Sequence, residues 1–196
     1  MWALDNWERV TGEHGPNRAL DVGCGTGRNT LYLAQRGIRV TAFDSSPAAV
    51  EAARRRLGVE VRVHDLRAGL PAGDGEIDLI VDTFVYKHQV LPDERRAYRR
   101  EMLRVLAPGG VVLISLAEPD DGYYAACPPF PDPEAGPNAV LDPELNVGSV
   151  LLSLEGLAAE ASSDGLTLVM AWRKQNTGWM HGRRYPRRTL VTLWKR

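Results

Sequence analysis

From residue 18 to residue 116, short apolar runs alternate with stretches whose apolar positions recur at helical spacing. Arg18-Ala19-Leu20-Asp21-Val22 predicts a buried strand that ends at a cluster of glycines. Residues 29–36 carry Leu31, Leu33 and Ala34 on a helical pattern, and Gly37 is a stop. Residues 38–43 predict a second strand. Ser46-Pro47 then opens a helix, with a hydroxyl at the cap and proline at the first helical position, running through 48–57 to Gly58. Residues 59–63 and 76–81 predict the third and fourth strands. A helix over 92–106 carries Tyr98, Met102, Leu103 and Leu106, and after Pro108-Gly109-Gly110 a fifth strand spans 111–116. One short helix, over 2–10, precedes the first strand. Strands separated by helices imply parallel pairing and right-handed crossovers. Strands that are apolar without alternation imply a sheet covered on both faces.

The texture changes after residue 116. Pro119, Pro128, Pro129, Pro131, Pro133, Pro137 and Pro143 crowd residues 117–150, which predicts an irregular excursion. Ser153 is placed to cap a helix running to about Ser162. Residues 166–172 and 189–194 predict two closing strands, and the 173–188 segment between them looks too long for a tight hairpin. No internal repeat or linker interrupts the pattern, and 196 residues suit one domain over 1–196.

Composition narrows the function classes. With 44% hydrophobic and 25% charged residues and a formal net charge of -1, no global basic field points to nucleic acid or an anionic membrane. No apolar run is long enough to span a bilayer, and the first residues do not form a secretory signal. Cys24 and Cys127 are too few for a disulfide framework or a four-ligand zinc site. The expectations are a cytoplasmic protein, monomer or homodimer, with no nucleic-acid, membrane or metal partner.

The candidate chemistry begins at the glycines. Gly23, Gly25 and Gly27 between a strand and a helix let the backbone turn sharply and approach a ligand. The following helix start offers N–H groups to an anion. Arg28 occupies the place of the last glycine in a dinucleotide loop, and the Gly-Lys-Ser/Thr ending of a P-loop is absent. The segment Ala19-Leu20-Asp21-Val22-Gly23-Cys24-Gly25-Thr26-Gly27 resembles motif I of the class I S-adenosylmethionine-dependent methyltransferases. Asp44 ends the second strand, where that family places the ribose carboxylate. His64-Asp65-Leu66 resembles the adenine-contacting segment, Asp78-Leu79-Ile80-Val81-Asp82 the fourth-strand motif, and Leu106-Ala107-Pro108-Gly109-Gly110 the loop before strand five.

The resemblance implies a Rossmann-like, doubly wound α/β sheet of seven strands in the order 3-2-1-4-5-7-6, mostly parallel with an antiparallel last strand and helices on both faces. It implies S-adenosylmethionine as cofactor and S-adenosylhomocysteine as product. The cofactor half would be residues 18–116, with 117–150 and 173–188 as lid connections on the acceptor side. The implied cofactor residues are Asp21, Gly23, Gly25, Gly27, Asn29, Asp44, Asp65, Leu66 and Asp82. Cys24 is expected to be only a small residue in the loop.

A sulfonium is already an activated leaving group, so the remaining task is to align a small-molecule acceptor. The stretch Asp82-Thr83-Phe84-Val85-Tyr86-Lys87-His88-Gln89 lacks the Asn/Asp-Pro-Pro-Tyr/Phe signature of enzymes that methylate nucleic-acid amines. Tyr86 and His88 are candidates to orient an acceptor or take a proton, against the plainer roles of packing and a helix start. Tyr123, Tyr124, Cys127 and Arg183 are candidate substrate contacts. Gly27-Arg28-Asn29-Thr30-Leu31-Tyr32-Leu33-Ala34, a cysteine in the excursion and His181 before a basic turn are similar to the small tellurite-resistance-type methyltransferases, which implies an acceptor-side role for His181. The longer excursion and shorter N-terminal segment depart from that pattern, so the substrate does not carry over. The alternatives are other sulfonium chemistry, such as aminocarboxypropyl transfer or cyclisation, a non-catalytic cofactor-binding module, and a dehydrogenase, which the glycine spacing disfavours.

Overall fold

The computed structural model describes residue 8 and residues 15–57 and 61–196. The expected helix over 2–10, apart from Glu8, and the expected boundary at residues 58–60 lie outside the described residues. Within them the first strand is β1 (Arg18–Val22), followed by α1 (Arg28–Ala34), β2 (Arg39–Asp44), α2 (Pro47–Leu57) and β3 (Val61–Val63). Then come β4 (Ile77–Thr83), α3 (Pro92–Val105), β5 (Leu106–Ala117), β6 (Ala139–Asp142), β7 (Val147–Val150), α4 (Leu154–Ser163), β8 (Thr167–Met180) and β9 (Arg183–Lys195).

The main sheet has seven strands in the order β3-β2-β1-β4-β5-β9-β8. Strands β1 to β5 pair in parallel, and β9 runs antiparallel to both β5 and β8. This is the expected order once β6 and β7, which pair only with each other, are set aside.

Alternate residues of each strand go to opposite faces. Leu20, Ile80, Ile114 and Trp194 are fully buried and pack with Tyr98, Met102 and Val105 of α3 and with Leu157 of α4. Ala19, Leu79, Val81 and Leu193 pack on the other face with Leu33 of α1. Each such leucine or isoleucine contributes about 1.5–3 kcal/mol on burial. The cap readings hold: Ser46 Oγ accepts from the Ala49 N–H at 3.2 Å, and Ser153 Oγ accepts from the Gly156 N–H at 3.2 Å.

Two expectations are corrected. The 117–150 excursion contains an antiparallel hairpin, β6–β7, with Pro129 bridging to Val140. Residues 173–188 form no long loop; they continue β8 and β9 into a ribbon closed by the two-residue turn His181-Gly182. Both turn residues have positive φ (47° and 76°), as a hairpin turn of this hand requires. The ribbon carries Arg173, Lys174, Gln175 and Asn176 largely in solvent, so it has no apolar alternation to reveal it as strand. No helix among the described residues is long and apolar enough to cross a membrane.

Ribbon and excursion are clamped together. Asp121 is fully buried; its carboxylate accepts from the Arg187 Nε–H at 2.9 Å and from the backbone N–H groups of Arg188, Tyr123 and Tyr124. A Cβ on Gly122 would stand 2.6 Å from Pro186, so only glycine lets the two backbones approach.

Candidate active site

The sheet reverses direction of growth between β1 and β4, and such a switch point leaves a crevice at the carboxyl ends of the strands. A cavity of about 610 Å³ lies there. Its walls come from Gly23 after β1, Asp44 at the end of β2, Asp65 and Leu66 after β3, and Thr83, Phe84 and Val85 after β4.

The glycine loop is built for close approach. Gly23 has φ 57°, and a Cβ there would fall 2.3 Å from Val85 Cγ2. Gly25, also at positive φ, donates its N–H to Asp44 Oδ2 at 2.9 Å, while Asp44 Oδ1 accepts from the Ser46 N–H at 2.9 Å. Asp44 thus ties the loop to β2, and each oxygen keeps a lone pair toward the cavity it lines. Gly27 caps α1 in a left-handed conformation with no side-chain cap. Burial pushes the Cys24 thiol up to about 12, so it is no nucleophile at neutral pH.

Asp65 lines the cavity with its carboxylate gripped by Arg67, whose Nη2 lies 2.5 Å from Oδ2. That hydrogen-bonded guanidinium holds Asp65 down at about 2. Leu66 beside it offers an apolar surface.

Three expected contacts do not lie in the wall of this cavity. Asp21 is buried beneath the loop and accepts from Thr30 Oγ at 2.5 Å; it does not reach the cavity wall. Burial pushes it up to about 6, with the Thr30 hydrogen bonds offsetting part of the rise. Asp82 is fully buried and accepts from the Val85 and Tyr86 N–H groups and from the Tyr98 hydroxyl at 2.8 Å. It shapes the turn after β4 from within the core. Tyr86 is fully buried on the far side of that turn, where its hydroxyl donates to Glu160 Oε2 at 2.7 Å and accepts from Arg99 at 2.6 Å. It is a core residue, not an acceptor contact. Tyr86→Phe should therefore lower stability by about 1 kcal/mol in a denaturant titration and leave turnover near wild type. A large loss of turnover with a normal melting profile would return Tyr86 to the site.

Asn29 also departs from expectation. It donates to Thr83 Oγ1 at 3.1 Å and lines a separate groove with Tyr32 and Trp172.

Beyond the cavity lies a second one of about 280 Å³, and Phe84, His88 and Val147 line both. Phe84 holds φ at 68°, uncommon for a bulky residue, with its N–H donated to Ser115 O at 2.8 Å. His88 Nδ1 lies 2.8 Å from the Gly148 carbonyl, which assigns the proton to Nδ1 and leaves Nε2 as an acceptor. His88 keeps an exposed edge, but desolvation of the ring within the fold and the neighbouring Lys87 ammonium pull the imidazole below its ordinary value, which makes it a weak base. Tyr124, Met180, Lys87 and Arg187 line the small cavity, together with Asp142, Leu145 and Ser149. Lys87 and Arg187 were not singled out by sequence, because a lysine or arginine that is buried looks no different in a sequence from one in solvent.

The remaining candidates gather elsewhere. His181, Tyr123, Cys127 and Arg183 line a third cavity of about 270 Å³. His181 Nε2 stands 3.5 Å from Asp142 Oδ2, and its ring is 5.6 Å from that of Tyr123. His181 is thus brought to the excursion and not to the large cavity. Burial pushes the Cys127 thiol up, as expected of a small packed residue.

Residues 19–110 match the methyltransferase domain family. That segment is a methyltransferase domain, and the relatives and the fold support a class I S-adenosylmethionine-dependent methyltransferase. Among its methyltransferase relatives, an uncharacterized methyltransferase of Synechocystis sp. is 38% identical over 108 residues, covering 55% of this chain and 50% of that one. The 2-heptyl-1-hydroxyquinolin-4(1H)-one methyltransferase of Mycobacteroides abscessus is 33% identical over 132 residues, covering 64% and 54%. The chain therefore spans about half the length of these curated relatives. A solved S-adenosylmethionine-dependent methyltransferase of Methanosarcina mazei shares the methyltransferase fold at a TM-score of 0.74 and 20% identity, covering 91% of this chain and 92% of that one.

Proposed function

We propose that this protein transfers the methyl group of S-adenosylmethionine to a small molecule, with the cofactor in the larger cavity and the acceptor in the smaller. The observation that supports the reading is that the two cavities are neighbours, sharing Phe84, His88 and Val147 in their walls beside the switch point of the sheet. The residues fit the cofactor. Gly23 presents bare backbone at the cavity wall, Asp44 has lone pairs for two ribose hydroxyls, and Leu66 with Asp65 suits an adenine face and its amine. When bound, the cofactor supplies an activated methyl group.

The chain's own residues then do three things. Asp44 and the loop fix the donor. Phe84 and His88 form the passage through which the acceptor must meet the methyl. The excursion and the β8–β9 ribbon, clamped by Asp121, wall the acceptor side as a lid. Alignment of this kind accounts for about 7–11 kcal/mol of barrier lowering in well-oriented reactions.

The test follows product rather than substrate. The purified protein is incubated with S-adenosylmethionine and a panel of hydroxylated heteroaromatics, including 2-heptyl-1-hydroxyquinolin-4(1H)-one. Acceptor-dependent S-adenosylhomocysteine with a methylated product is expected. Methylthioadenosine as the product would overturn methyl transfer, and failure of S-adenosylhomocysteine to bind would overturn the cofactor assignment.

A further inference from the structure

Lys87 is a buried cation with no anion in direct contact. The residue is 2% exposed, and its Nζ donates to Ser149 Oγ at 2.7 Å and to the Tyr124 hydroxyl at 3.0 Å. Among the described residues no carboxylate oxygen lies within 4.0 Å of it. An ammonium has three donors; two go to these hydroxyls, and the ammonium also stands 4.4 Å from the centroid of the Tyr124 ring, which leaves no third hydrogen-bond acceptor among the described residues. Buried charges are normally paired. This one instead faces the small cavity, which Arg187 also lines.

The other charged groups around Lys87 do not supply the missing anion. Asp121 is occupied by Arg187. Asp142 lines the cavity, but its Oδ1 accepts from the Glu144 and Leu145 N–H groups and its Oδ2 faces His181. Burial works against the Asp142 charge, yet these hydrogen bonds hold it below its ordinary value. His88 is committed through Nδ1 to Gly148, and the Cys127 thiol is pushed up. Burial and nearby Arg187 bring Lys87 down to about 8 against the opposing attraction of Asp142 and Asp121, which leaves it mostly charged at neutral pH. The remaining wall is apolar: Phe84, Leu145, Val147 and Met180.

We propose that the small cavity binds a compact planar acceptor as an anion, its ionised phenol- or enol-type hydroxyl resting on Lys87 Nζ and its carbon skeleton against Phe84 and Met180. This rests on the reading of the two cavities as donor and acceptor sites. The acceptor is drawn from its ionised form, its proton left with bulk water, so no base is needed. The anionic oxygen forms a bond to the methyl carbon as the carbon–sulfur bond breaks, the electron pair staying on sulfur. The acceptor's negative charge and the sulfonium's positive charge cancel. His88 then contributes shape to the passage and not basicity, in keeping with its weakened imidazole.

The test uses 4-nitrophenol, whose ionised form is read directly by absorbance, with the full-length protein saturated by S-adenosylhomocysteine. Bound probe should titrate about one pH unit below free probe, and 4-nitroanisole, which bears no ionisable hydroxyl, should bind at least about tenfold more weakly. Lys87→Met should abolish the shift, and Lys87→Arg should retain part of it. Calorimetry should show unchanged S-adenosylhomocysteine affinity in both variants. Lys87→Met removes an unpaired buried charge for a side chain of similar length, so its melting temperature should equal or exceed wild type. If Lys87→Met does not fold, Ser149→Ala replaces it and should reduce the shift. Equal binding of 4-nitroanisole, an unshifted titration, no probe binding, or a shift that survives Lys87→Met would each overturn the proposal while leaving the donor site standing. Benzoate binding where 4-nitrophenol does not would also overturn it, by assigning the anion site to carboxylates. If wild type does not bind S-adenosylhomocysteine, the donor reading falls and the acceptor proposal falls with it.

Discussion

Asp44→Ala is expected to weaken S-adenosylhomocysteine binding at least about tenfold, measured by calorimetry against wild type. Hydrogen bonds to a charged group contribute about 1.5–3 kcal/mol each, and a ribose offers two hydroxyls to this carboxylate. The structure adds a second reason. The same side chain accepts from the Gly25 and Ser46 N–H groups, so its removal also frees the glycine loop from the end of β2. Asp44→Asn should fall between, since it keeps one acceptor oxygen and loses the charge. Unchanged affinity in Asp44→Ala would remove the carboxylate from the donor site, whatever the loop does.

Glu160→Ala should cost about 3 kcal/mol of stability, read from a urea titration. Its carboxylate accepts from Arg95 Nε at 2.9 Å, from Arg99 Nη1 at 2.8 Å and from the Tyr86 hydroxyl. Arg95 and Arg99 are nearly fully buried, so the substitution leaves two guanidinium groups without their partner, although Arg99 retains Asp164 at 2.6 Å. Breaking such a pair costs about 3–5 kcal/mol, and the lower end applies because Glu160 keeps some solvent contact. The consequence reaches the site. Tyr86 anchors one side of the turn whose other side presents Lys87 and His88 to the cavities. At a temperature where the variant is folded, its acceptor binding should weaken more than its S-adenosylhomocysteine binding. A loss under about 1 kcal/mol would show the network to be solvated and dispensable.

The first half of the sheet was legible because its signals are local. Strand, glycine loop and helix follow one another in sequence, and Asp44 is marked by its place at the end of a strand. What failed depended on direction and burial. Asp82 and Tyr86 sit in the segment beside the expected methyl position, but the turn sends both into the core. Lys87 between Tyr86 and His88 faces the other way, and nothing in its identity announces that. The ribbon at 173–188 was missed because strands exposed on both faces carry no apolar rhythm. His181 and Cys127 supported the narrower resemblance, yet their cavity lies behind Asp142, away from the one lined by Gly23 and Asp44. Phe84, with its positive φ, had no signal at all in its side-chain type.

A crystal structure of the protein with S-adenosylhomocysteine tests the central claim most directly. The account predicts the ribose hydroxyls on Asp44, the adenine on Leu66, and the sulfur turned toward the gap between Phe84 and His88, facing the small cavity that holds Lys87. Density for the ligand in the groove beside Tyr32 and Trp172, or a sulfur turned away from the small cavity, would contradict it.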